Sequence, residues 1–230
     1  MRFCFGILLG LVLGVSSKRK VVLLIGIEGT GHHLIETVLK QSQLYVHAFT
    51  PDVVMAREHF SQKYLQWYDA KSEPYIIHGA DSFPEGRPLH AINHPHLPGF
   101  LLLNETGEIN LRLVVLKRDP VDAVCSALRR FHADPISSGR TASDSLYMIQ
   151  SIVQSVPHTT VCFKRAMNDS AYLFQALWPA LNGIADKQML RNATSHVVLF
   201  AVQTHHTYSE TTCPKYAFLK NILHSQRTSC

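Results

Sequence analysis

The stretch Leu111–Phe131, LRLVVLKRDPVDAVCSALRRF, runs from an apolar strand through a charged turn into a helix. Leu113 to Lys117 read as a strand covered on both faces, because five apolar or long-stemmed residues follow one another without alternation. Asp119-Pro120 supplies an N-cap and a proline at the first helical position, so the helix is predicted over Val121–His132. Arg118 then stands at the carboxyl end of the strand. Ser126, eight residues on, lies two turns into the helix, and a guanidinium and a hydroxyl so placed are predicted to converge on one phosphate. A similar unit lies near the amino end, KRKVVLLIGIEGTGHHLIETVLK: a strand (Val21 to Ile25), a glycine-rich loop (Gly26 to Gly31) and an amphipathic helix (Thr30 to Gln41). Strand, glycine loop and helix amino end together form the architecture of a phosphate cradle.

The chain at this point resembles the sulfotransferases that use 3'-phosphoadenosine 5'-phosphosulfate (PAPS) as sulfuryl donor. In that family one strand-loop-helix unit holds the 5'-phosphosulfate, and a second, of the form Arg-(x)7-Ser, holds the 3'-phosphate. Arg118 and Ser126 match the second unit, together with its Asp-Pro and the following Asp122, and Gly29-Thr30 matches the Gly-Thr of the first. Ile27 and Glu28 stand where the family has a basic residue and a serine. His96-Leu97-Pro98 resembles a segment whose histidine is the catalytic base in the cytosolic branch, and His96 precedes Arg118 by the same 22 residues. The resemblance, which spans Val21 to Phe131, implies a three-layer α/β/α domain of P-loop type with a central, mainly parallel sheet. It implies PAPS as cosubstrate without a metal, Gly29, Thr30, Gly31, His32, Arg118 and Ser126 as donor-binding residues, and His96 as catalytic base.

The 230 residues carry a formal charge of +5, with 46% hydrophobic and 17% charged residues and 14 histidines. Such a composition excludes disorder and suits anionic ligands. Nucleic acid is not an expected partner, since Lys18-Arg19-Lys20 is the densest basic run and no aromatic-basic ladder accompanies it. Met1-Arg2, the apolar Phe3 to Val15 and the small Ser16-Ser17 read as a signal peptide over residues 1–17. Thirteen apolar residues span only ~20 Å as a helix, short of a ~30 Å hydrocarbon core, so a cleaved leader is preferred to a signal anchor and no membrane span is expected after cleavage. Residues 18–230 then form one domain in the secretory pathway, in the Golgi lumen or secreted, and its acceptor is expected to be a glycan, protein or small-molecule hydroxyl or amine. Sequons at Asn104, Asn168 and Asn192 agree with that compartment. Cys125, Cys162, Cys213 and Cys230 remain in the mature chain, and four cysteines allow three pairings.

Further helices are predicted over Asp52–Tyr68, Ser143–Ser155 and Val161–Trp178, strands over Tyr75–His78 and His196–Val202, and a long loop from Pro84 to Gly99. In an open parallel sheet both anion loops and the His96 loop meet at the carboxyl edge of the strands. Alternative readings stay open. Gly26 to His33 also aligns with a nucleotide-triphosphatase loop, although His32 and His33 replace its lysine and hydroxyl residue, which leaves a nucleotide kinase-like protein as one rival. The other is a non-catalytic lumenal protein that binds a nucleotide or glycan. Glu28 is expected to repel the 5'-phosphosulfate, and no glycine-rich basic segment follows Cys213-Pro214 to close the 3'-phosphate site; both departures imply a weak catalyst. Protonated His32 or His33 would compensate for Glu28, with activity rising toward acid. Arg129-Arg130 reads as a solvated helix end, and His205-His206 as a loop pair rather than a metal site.

Overall fold

A computed structural model describes residues 18–27, 29–47, 59–79, 96–132, 134–154, 156–201, 208–209, 211–213 and 215–226. Four strands pair in the order β2-β1-β3-β4, every pair parallel: β1 (Arg19–Ile25), β2 (Tyr75–His78), β3 (Ile109–Lys117) and β4 (His158–Cys162). Alternation within β1 explains the layering. Val21, Leu23 and Ile25 enter one core and Val22 and Leu24 the other, so the strand is apolar on both faces. One face is covered by α2 (Phe60–Lys71), α3 (Leu97–Glu105), α4 (Pro120–Phe131), α5 (Pro135–Val153) and α9 (Tyr216–Leu223). The opposite face is covered by α1 (His32–Gln41), α7 (Ser170–Leu181) and α8 (Lys187–Ala201), with the single turn α6 (Phe163–Ala166) between β4 and α7. The three-layer α/β/α fold with a parallel sheet is as the sequence indicates.

Three elements differ from expectation in kind or end point, and α5 begins at Pro135, eight residues before the Ser143 start predicted for it. Residues 196–201 are helix within α8, not strand. The β-branched run Val197-Val198 suggests a strand, but Leu190, Ala193, Thr194, Val197 and Val198 recur at helical spacing and are buried against α1 and α7. The single helix expected over Val161–Trp178 is instead the end of β4, then α6, then α7. β4 is a short edge strand, HTTVC, with one buried residue, too polar for an apolar run to reveal it. The loop expected to reach Gly99 ends earlier, because α3 begins at Leu97 with Pro98 in its first turn. Of the predicted Asp52–Tyr68 helix, residues 52–58 lie outside the described residues, as do 1–17, Glu28, His205-His206 and most of the Pro84–Gly99 loop.

A disulfide joins Cys125 in α4 to Cys213, 88 residues away, and both are buried. It is compatible with one of the three pairings open to four cysteines. Among the sequons, Asn168 is exposed in the turn before α7. Asn104 is half-buried and accepts a hydrogen bond from the Leu111 N–H at 3.0 Å, and Asn192 lies on the exposed face of α8 with Thr194 of its sequon buried.

Candidate functional site

β1 lies between β2 and β3, so the chain leaves it to pair on one side and then on the other, and α1 and α4 pack on opposite faces. A crevice opens at the carboxyl edge where neighbouring connections diverge in this way, the usual ligand position in open α/β sheets. The loops after β1 and β3 border it. Chain direction brings His96 to the same edge, because α3 runs back toward the start of β3.

The first loop is a tight turn. The Thr30 N–H and Oγ1 both donate to the Ile27 carbonyl, at 3.3 and 2.7 Å, so the threonine hydroxyl closes the turn from within. Gly29 and Gly31 have φ of +85° and +105°, the left-handed region that favours glycine. Space demands glycine too: a Cβ on Gly29 would lie 2.2 Å from the Ala123 carbonyl oxygen in α4, and one on Gly31 would lie 2.3 Å from the Phe163 ring. Gly31 is the N-cap of α1, with no side-chain cap and no acidic residue in the first turn, leaving the positive end of the helix dipole uncompensated by this helix's own residues. His32 is buried at 4% exposure. His33 is 76% exposed, with Nδ1 3.5 Å from Glu36 Oε2 one turn along α1.

The second loop meets the first directly. Arg118 Nη1 donates to the Gly29 carbonyl at 2.9 Å, and the guanidinium lies 4.6 Å from the centroid of the Phe163 ring. Burial lowers the Arg118 pKa, against which Asp122, Tyr208 and Asp119 act to raise it, and a guanidinium so placed remains charged. Arg118 Nε is buried without a hydrogen-bond partner among the described residues. A buried charged donor left unmatched is costly, and an oxyanion in the crevice would satisfy it. Asp119 caps α4 by accepting from the Val121 and Asp122 N–H groups at 2.9 and 3.3 Å, with Pro120 first in the helix, as the sequence predicts. Ser126 is half-buried, on the same helix face as Asp122 and Arg130. The described residues show no hydrogen bond between Arg118 and Ser126; the arginine is directed at the first loop.

His96 is the N-cap residue of α3, 9% exposed, its ring stacked on Phe60 at 4.4 Å and 11°. The stack fixes the plane of the imidazole. Sequence reasoning missed Phe163 and Lys117 at this edge: Phe163 lies 45 residues beyond Arg118, at the start of α6 just after β4, and Lys117 reads as the last residue of β3. Among the described residues there is no group of three His, Cys, Asp or Glu placed to hold a metal ion, and no helix long and apolar enough to cross a membrane.

No family model matches the sequence, and no curated protein matches it significantly. Among solved structures, the chain is similar to the sulfotransferase domain of the Synechococcus PCC 7002 olefin synthase, with a TM-score of 0.54 and 13% identity over 93% of this chain and 96% of that one. The likeness shows a sulfotransferase-like fold.

Proposed function

We propose that the protein is a PAPS-dependent sulfotransferase of the secretory pathway, acting on a hydroxyl or amine of a glycan, protein or small molecule. The observation that carries this reading is Arg118: a half-buried, charged group whose Nε is buried with no hydrogen-bond partner among the described residues, held at the switch point between two strand-loop-helix units. Arg118 and Ser126 would hold the 3'-phosphate, which distinguishes PAPS from ATP. The loop's backbone at Gly29 and Gly31 and the amino end of α1, with His32, would face the 5'-phosphosulfate. The rival triphosphatase reading lacks the lysine and hydroxyl that grip a terminal phosphate and magnesium, since His32 and His33 occupy those positions. Lumenal placement is supported by the Cys125–Cys213 bond and the exposed Asn168 sequon.

PAPS supplies a sulfuryl group on its 5'-phosphate; transfer forms the acceptor–sulfur bond and leaves the electron pair of the broken sulfur–oxygen bond on that phosphate. His96 takes the acceptor proton, its ring plane held by Phe60. The glycine loop and Arg118 position the donor, so catalysis rests on alignment and electrostatics, as in phosphoryl transfer.

Titration calorimetry with the desulfated donor, adenosine 3',5'-bisphosphate, and with ATP plus magnesium tests the assignment. Saturable binding of the bisphosphate, weakened at least about tenfold by Arg118→Ala, is expected from loss of a charge-assisted contact; preference for ATP, or no binding, would overturn the reading. His96→Ala should lower turnover by about 10²-fold or more and leave bisphosphate affinity within about twofold. Equal loss of both would make His96 a structural residue.

A further inference from the structure

The first loop has an electrostatic deficit. Residues 26–31 contain no lysine or arginine, and backbone N–H groups with a helix dipole are a weak counter-charge for a group bearing two or more negative charges. β3 provides a cation at the same level. Ile25 pairs with Val115, and a Cβ on Gly26 would lie 3.1 Å from the Leu116 carbonyl oxygen, so the loop still runs beside β3 after β1 ends. Ile27 and Lys117 each lie two residues beyond the last registered pair, Ile25–Val115. Both continue the same alternation: Val21, Leu23, Ile25 and Ile27 share a core with Leu111, Leu113 and Val115, and Lys117 is next on that face of β3. Where Ile27 is fully buried, Lys117 is half-buried and lines a cavity with Thr30, Arg118 and Gln150, walled by Leu146 and Ile149 of α5. The cavity thus brings the threonine of the first loop, the arginine of the second and the lysine of the strand between them to one opening.

From this geometry we infer that Lys117 is the cationic contact for the donor's 5'-phosphate, supplied across the sheet from β3 instead of from the glycine loop. The inference rests on the PAPS reading and assigns the two phosphates to adjacent residues, the 5'-phosphate to Lys117 and the 3'-phosphate to Arg118. An ammonium at that position also stabilises the charge left on the 5'-phosphate when the sulfur–oxygen bond breaks, so its removal lowers turnover as well as binding.

The two assignments separate with two nucleotides. Adenosine 3',5'-bisphosphate carries both phosphates and adenosine 3'-monophosphate only one, so the ratio of their affinities reports the 5'-phosphate contact. Lys117→Met is expected to reduce bisphosphate affinity at least about tenfold while changing 3'-monophosphate affinity less than about twofold, and Lys117→Arg should restore most of the loss. Arg118→Ala should weaken both nucleotides by the same factor. Thermal unfolding of each variant identifies loss of fold, and Lys117→Gln serves as a second neutral variant if Lys117→Met fails to fold. If the bisphosphate binds the wild type but Lys117→Met weakens both nucleotides equally, or neither, the lysine is a structural residue and the inference is wrong. Failure of the wild type to bind the bisphosphate would remove the PAPS reading and this inference together.

Discussion

The two strand-loop-helix units at the carboxyl edge have the same order of elements and opposite ways of being held. The β3–α4 turn is self-contained: Asp119 caps the helix, Pro120 starts it, and both signals lie within the turn. The β1–α1 turn depends on atoms from elsewhere, because α4 and Phe163 crowd its two left-handed glycines and its Gly29 carbonyl is taken by Arg118. The second unit is therefore a template against which the first is moulded. Damage to the second is expected to spread to the first, and damage at the contact between them to cost the most.

The largest expected effect comes from breaking the mould contact. Gly29→Ala places a Cβ against the Ala123 carbonyl at a positive φ, and about 2–4 kcal/mol of stability should be lost on chemical denaturation. A loss below about 1 kcal/mol would mean that the loops are not locked together. Asp119→Ala removes the cap of α4 and should cost about 1 kcal/mol; as the template loosens, bisphosphate affinity should fall too, by a factor a calorimeter resolves. The far end of β1 provides the contrast. Arg19 Nε lies 2.7 Å from Asp69 Oδ1 at the amino edge, and the bond to Arg19 holds the Asp69 carboxyl below its ordinary pKa. A depressed folded-state pKa means that the pair stabilises above the ordinary carboxylate value, and that this contribution fades as pH falls through the lower folded value. Since Asp69 is 56% exposed, solvent screens the pair. Asp69→Asn should cost no more than about 0.5–1 kcal/mol at neutral pH, flatten the acid limb of the stability–pH curve, and leave nucleotide binding unchanged.

The same contrast governs what the sequence reveals. Arg118, Asp119, Pro120 and Ser126 are legible because a strand end, a cap and a helix face are local patterns within about fifteen residues. Gly29 and Gly31 are legible as a turn, but the reasons for glycine, Ala123 and Phe163, lie 94 and 132 residues downstream. Lys117 emerges only from the β1–β3 register, which no local pattern carries. β4 and α8 escape a local reading for related reasons: an edge strand needs little apolar surface, and a helix packed on two neighbours tolerates β-branched residues where its buried stripe requires them. The sheet core and the layer order follow directly from uninterrupted apolar strands.

The Cys125–Cys213 bond places one further condition on this arrangement. Cys125 immediately precedes Ser126, so the covalent ring closed by the bond contains α5, β4, α6, α7 and α8 and begins at the helix that carries the candidate phosphate hydroxyl. A single backbone cut anywhere inside that ring opens a loop without releasing a fragment. The protein nicked there runs as one species until a reductant is added, and its two pieces part only then.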